Sequence, residues 1–303
     1  MHRPLLPTIV ILSAAICSAF GGEGEFRPSE TSASATWFAH VNLVGLRASE
    51  TGKQLINELD GEAKRQLRQI ERMLNFHPIK DLESATVYGT SSDPEKAVAL
   101  LRGDFDVDRL NGVAEDSDDY RAVAHGTGTI HSWRDGSKLL FASIPSTNLI
   151  IIGPELELVQ TALDVTTGTG EAMDESQIFG HRQTTQAPIL IAAANLSALG
   201  SLEIDSSLVR KIQAIYVSAG EKGGELLGYA AMKTADARSA ELVDQMLHGV
   251  LALAEASDEL APEVIEAFQT KLDGNGISLT VSMPIRQFKS LVAKLEKAAN
   301  GLK

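Results

Sequence analysis

Apolar residues recur along the chain in two registers. From Leu55 the positions Leu55, Leu59, Ala63, Leu67, Ile70 and Leu74 fall every three or four residues, which gathers them on one side of an α-helix. Lys64, Arg65, Arg68 and Glu71 take the water side, and Gly61 is a place where this stretch can divide into two helices. Ala240, Val243, Leu247, Val250, Leu251 and Ala254 repeat the pattern, and a shorter helix is predicted through Val264, Ile265, Phe268 and Leu272. The second register is the short apolar run bounded by turn residues, read as a strand: Trp37 to Val41, Ala85 to Gly89, Ala97 to Gly103, Leu149 to Ile152, Ile189 to Ala194, Ala214 to Val217, Leu226 to Met232 and Ile277 to Ser282. Thr129 to Trp133 and Lys138 to Ile144 flank Arg134-Asp135-Gly136-Ser137. That spacing predicts a hairpin, because Asp-Gly tolerates the positive backbone angles of a tight turn.

The order of these segments repeats. Trp37 to Val41 leads into Asn42-Leu43-Val44-Gly45-Leu46, and Ile189 to Ala194 leads into Asn195-Leu196-Ser197-Ala198-Leu199. A strand, turn and strand then end at Asp106 in the first half and at Asp236 in the second, each aspartate placed to open a helix. A late strand runs into Gly153-Pro154 and a helical stretch in the first half, and into Met283-Pro284 and Ile285 to Ala298 in the second. The expected architecture is α+β: two related units of antiparallel sheet, at 35–165 and 187–303, each with helices packed on one face and together an internal duplication. Residues 22–34 and 166–186, poor in apolar side chains, are expected to be a flexible leader and a linker.

Upstream, His2 and Arg3 precede an apolar run from Leu5 to Phe20 that closes on small residues, the pattern of a cleaved signal peptide over 1–21. Sixteen residues fall short of the roughly 20 that cross a bilayer, so no membrane span is expected in the mature chain. The full chain has 27 Lys+Arg, 40 Asp+Glu and a formal charge of −13. Cleavage after Gly21 removes only Arg3, leaving 26 cations against 40 anions and a formal charge of −14. A body with that balance repels phosphate backbones, which argues against nucleic acid as a partner. The one cysteine, Cys17, leaves with the signal, so neither disulfides nor thiol catalysis are available to the mature protein. The expected location is exported, periplasmic or extracellular.

The segments Asn42-Leu43, Arg47-Ala48-Ser49-Glu50-Thr51-Gly52-Lys53 and Asp81-Leu82-Glu83-Ser84-Ala85-Thr86-Val87-Tyr88-Gly89 resemble a group of exported bacterial proteins of unknown function. The resemblance covers about the first 110 mature residues and rests on packing positions. It implies export and transfers no functional residue.

The sharpest local pattern is Asp104-Phe105-Asp106-Val107-Asp108 with Glu115 at the twelfth position, similar to a calcium-binding loop. Asp104, Asp106, Asp108 and Glu115 are therefore candidate metal ligands and calcium the candidate cofactor. Arg109 stands where such a loop needs glycine for its sharp turn; the alternative is that Asp106 caps a helix and the other acids are solvated. His125 and His131 are six residues apart and would share a face of one continuous strand, with His40 on another strand. Glycines between His125 and His131 favour a turn instead. Ser218 in Tyr216-Val217-Ser218-Ala219-Gly220 lacks the glycine and the following helix of a nucleophile elbow. Trp37 and Trp133, the only tryptophans, lie on predicted strands as core or half-core residues. The chain thus reads as an exported protein of the cell envelope that binds or scaffolds a protein or other envelope component without catalysis. The alternatives are a metal-assisted hydrolase built on histidines and carboxylates, and a calcium-stabilised adhesion module.

Overall fold

The computed structural model describes residues 23–93, 96–117, 119–135, 137–174, 188–199, 209–256 and 265–288. Trp37–Asn42 (β1) is the strand on which the two halves meet. It pairs antiparallel with Leu82–Gly89 (β2) on one side and with Pro188–Asn195 (β8) on the other, Phe38 standing opposite both Tyr88 and Ala193. The first half continues with Ala97–Gly103 (β3), Arg121–His125 (β4), Gly128–Asp135 (β5), Lys138–Ser146 (β6) and Leu149–Gly153 (β7). The second continues with Ile212–Lys222 (β9), Glu225–Thr234 (β10), Phe268–Asp273 (β11) and Gly276–Pro284 (β12). All pair antiparallel in one 12-stranded sheet of order β11-β12-β10-β9-β8-β1-β2-β3-β7-β6-β5-β4. The expected α+β class holds, and the two units share one sheet through their first strands.

Counting outward from the β1–β8 seam, each half has the same order: a first strand, a hairpin, then a second hairpin whose later strand lies next to the third. The β4–β5 hairpin, at the outer edge of the first half, has no counterpart among the described residues of the second.

Five of the α-helices among the described residues enter where the sequence supplies a side-chain cap. Asn42, Ser49, Asp60 and Asp106 each accept a hydrogen bond from the amide three residues on, opening Leu43–Ala48 (α1), Glu50–Glu58 (α2), Gly61–Leu74 (α3) and Val107–Glu115 (α4). Asp236 does the same for Ala237–Ala256 (α6) through the Ser239 amide at 2.7 Å. Leu156–Thr166 (α5) is the helix of the first half's other face, with Val159, Ala162 and Leu163 packed on Val98, Leu100, Ile130 and Ile151. The opposite face carries α1, α3 and α4 around Phe76, Leu82, Phe105, Leu110 and Ile150, so the first half is covered on both faces rather than one. Directly opposed residues share a face, which puts Ile215, Met232 and Ile277, under Val243 of α6, on the α3 and α4 side. The α5-side core runs across the seam, from Tyr88 and Phe38 through Ala193 to Tyr216 and Tyr229.

Three expectations are corrected. Residues 23–34 are docked, not flexible: Phe26 stacks on Phe38 at 4.3 Å, Glu30 pairs with Arg102, and Ser32 bridges to Ala172. Their composition concealed this because the anchors are single side chains. Phe268 and Leu272 lie on strand β11, not a helix, since a spacing of four suits both periods and the turn at Gly274, with φ 59°, folds β11 back along β12. Of the expected linker, Thr166 closes α5 and Met173 is buried, its amide 2.7 Å from the Thr31 carbonyl; residues 175–187 and residues 1–22, which include the expected signal peptide 1–21, lie outside the described residues.

Candidate functional site

Each of the three histidines flagged by sequence has its own separate partner. His40, 1% exposed in the middle of β1, has Nδ1 2.8 Å from the Thr86 hydroxyl and Nε2 2.9 Å from the Gly24 carbonyl. A carbonyl only accepts, so Nε2 carries the proton and Nδ1 accepts from Thr86. Burial pushes the imidazole down to about 4, against the opposing pull of the Gly24 carbonyl and of Glu30. His40 is thus a neutral pin that holds the N-terminal segment to the sheet. Gly24 sits at φ 79°, and a Cβ there would lie 2.7 Å from the Glu83 carbonyl, so the pin also demands glycine at its far end.

His125 closes β4 with Nε2 2.9 Å from Asp164 Oδ1 on α5. His131 on β5 has Nδ1 2.9 Å from the Tyr120 hydroxyl; burial lowers the imidazole's pKa while Glu115 opposes the shift. Gly126-Thr127 makes the turn that the glycines implied, and the β4–β5 register pairs His125 with Gly128. Gly128 and His131 are an odd number of residues apart, so His125 and His131 point to opposite faces. β1 and β5 are separated by five strand spacings, about 24 Å. Among the described residues no three histidines, cysteines or carboxylates converge on a point.

The four carboxylates of the calcium pattern are strung out rather than closed into a loop. Asp104 follows β3, Asp106 caps α4 by accepting from the Arg109 amide at 3.0 Å, and Asp108 and Glu115 lie seven residues apart on the helix. Seven residues of α-helix rise about 10 Å, whereas calcium ligands must converge within about 2.5 Å of one ion. The helix forms because Asp106 is a good cap and Leu110 packs on Phe105, with Arg109 where a loop would have needed glycine. Ser218 is fully buried within β9, with no helix after it. Trp37 is half-buried, its indole N–H donating to the Ser91 carbonyl at 2.7 Å and its ring lying over Gly89, where a Cβ would approach to 2.9 Å.

What the sequence did not single out is a surface. On α6, Val243 and Val250 are two turns apart on one side of the helix; Val243 is 1% exposed and Val250 61%. Leu253 is 71% exposed and Met246 44%. The first half of α6 therefore sits on β10 and β12 while its last turns present Met246, Val250 and Leu253 to solvent. The signal was available in the pattern, since the apolar arc of Met246, Leu247, Val250, Leu251 and Leu253 is wider than one packed face requires. A second undetected feature joins the halves: Glu221 of β9 accepts from the Glu50 and Thr51 amides at 2.8 and 2.9 Å, filling the N-terminus of α2. Burial would raise the Glu221 pKa, but these amide bonds, with Lys53 nearby, hold it below the usual carboxylate range.

No described helix is long and apolar enough to cross a membrane. No family model and no curated protein matches the chain. Its architecture, an α+β chain on one wide antiparallel sheet, is similar to that of TP0453. Crystal form III of that protein superposes with a TM-score of 0.51 at 9% identity, covering 88% of this chain and 98% of that one. Crystal forms IV and I give TM-scores of 0.48 and 0.46, also at 9% identity. At that identity the likeness shows the fold alone.

Proposed function

We propose that this chain is an exported, non-catalytic binding or scaffolding protein of the cell envelope, whose two halves descend from one duplicated unit. The carrying observation is the end of α6, where Met246, Val250 and Leu253 stand exposed on a helix whose inner face is buried in its earlier turns at Ala240 and Val243. An apolar ridge of this kind in a charged, acidic surface is the mark of a protein contact. The histidines support the same reading, each being engaged by a structural partner: His40 by Thr86 and Gly24, His125 by Asp164, His131 by Tyr120. The shared strand order on either side of β1 and β8 supports the duplication.

The test is a photo-activatable side chain at Leu253 in cells that produce the protein, with a second probe at exposed Lys271 as control. The expected result is one discrete protein adduct from position 253, lost on Val250→Asp and absent from position 271. Equal, diffuse labelling from both positions would remove this reading.

A further inference from the structure

Two helices on one side of the molecule carry opposite charge on their outer faces. On α3, Lys64, Arg68 and Arg72 stand in an i, i+4, i+8 row with Arg65 beside them, while Ile70 faces inward to the core around Phe76 and Leu110. Like charges at i, i+4 cost a helix stability. Yet among the described residues none of the four meets a carboxylate: Lys64 bonds the Asn57 carbonyl, Arg72 the Arg68 carbonyl, and no ion pair reaches Arg65 or Arg68. α4 packs beside α3 and buries Leu110 in the same core, so its outer face turns the same way. That face carries Asp108, Glu115 and Asp116, all exposed and likewise without an ion-pair partner among the described residues. Glu62 and Glu71 flank the cationic row and Arg109 flanks the acidic one. The rows match in length: Lys64 to Arg72 and Asp108 to Asp116 each rise about 12 Å.

We propose that these paired ridges are a self-association surface and that its occupant is a second copy of this chain. A two-fold axis running between α3 and α4, in the plane of contact, lays α3 of each copy over α4 of the other. The Lys64, Arg68 and Arg72 row of each copy then faces Asp108, Glu115 and Asp116 of the other, and the contact is made twice, as an isologous interface requires. A broad anionic surface fits less well, because it would meet the α4 carboxylates as soon as it met the α3 cations, on a chain of formal charge −13. The acids that suggest a calcium loop in the sequence thus serve as one half of a charge-matched contact.

Sedimentation of the purified protein tests it. At about 50 mM salt a concentration-dependent dimer is expected, with a dissociation constant at least about tenfold weaker at about 500 mM, because exposed charge pairs are screened. Arg65→Glu/Arg68→Glu/Arg72→Glu and Asp108→Lys/Glu115→Lys/Asp116→Lys are each expected to be monomeric alone and to form a one-to-one heterodimer when mixed. Should either triple variant fail to fold, single reversals at Arg68 and Asp108 serve, with the same recovery on mixing. Wild-type protein that stays monomeric at low salt, or a dimer that survives both reversals, overturns the proposal.

Discussion

The buried His40 makes a pH-dependence that can be worked through from its surroundings. Burial holds the folded imidazole down to about 4, whereas an unfolded chain titrates near 6.5. Above pH 6.5 both states are neutral and the site contributes in full. As pH falls from 6.5 towards 4 the unfolded chain takes up a proton that the native site refuses, so stability declines; below about 4 both states are protonated and the contribution is gone. That interval corresponds to about 3 kcal/mol, a large part of a typical domain's net stability. His40→Gln keeps a polar side chain of similar reach without the titration. Urea unfolding of both proteins between pH 4 and 7 should give a wild-type advantage over the variant that shrinks by about 3 kcal/mol across the range, with unchanged m-values. The His40 ring protons, followed by NMR in the native protein, should titrate near pH 4, and the segment bearing Gly24 and Phe26 should become protease-sensitive at the same midpoint. Parallel stability profiles for wild type and variant would mean that burial does not set the imidazole's protonation.

Leu163→Ala, at a fully buried position of α5 against Ile130 and Ile151, should cost about 3 kcal/mol in chemical denaturation, the transfer term plus a cavity. Glu221→Gln should cost about 1 kcal/mol and raise hydrogen exchange in the first turn of α2; the contribution is present above the ordinary carboxylate range and lost as pH falls below it, because the folded pKa is lowered. Gly24→Ala should destabilise by at least about 1 kcal/mol, as alanine is strained at φ 79° and its Cβ would press on the Glu83 carbonyl, and it should loosen residues 23–36 by limited proteolysis. Val250→Asp should leave the melting temperature within a few degrees of wild type, since it alters an exposed position by no more than about 0.5 kcal/mol, while removing the adduct from position 253.

Local signals in this chain were legible wherever one residue type satisfied one backbone need. Asp106 and Asp236 could be read as helix openers because a short polar side chain next to an apolar run caps the orphan amides wherever it occurs. The β5–β6 hairpin and the break between α2 and α3 were legible on the same ground, although the break falls at Asp60, the cap, one residue before Gly61. The candidate ligands misled because spacing along the chain is not convergence in space: a helix turned the twelve-residue calcium pattern into a ridge, and a two-residue turn sent His125 and His131 to opposite faces.

Periodicity, caps and turn residues, all short-range properties of the polymer, determined the class of fold, most of its strands and the repeated order of its elements. Pairing between segments some 150 residues apart is not encoded in any local pattern, so it took long-range packing to join β1 and β8 into a single sheet and to bind the leader down through Glu30, Phe26 and His40. The same long-range packing decided which part of the apolar stripe along α6 is core and which is surface: Val243 is buried against Ile212 and Ile277 while Val250 stands in solvent, because burial depends on what lies opposite a side chain and not on the residue itself.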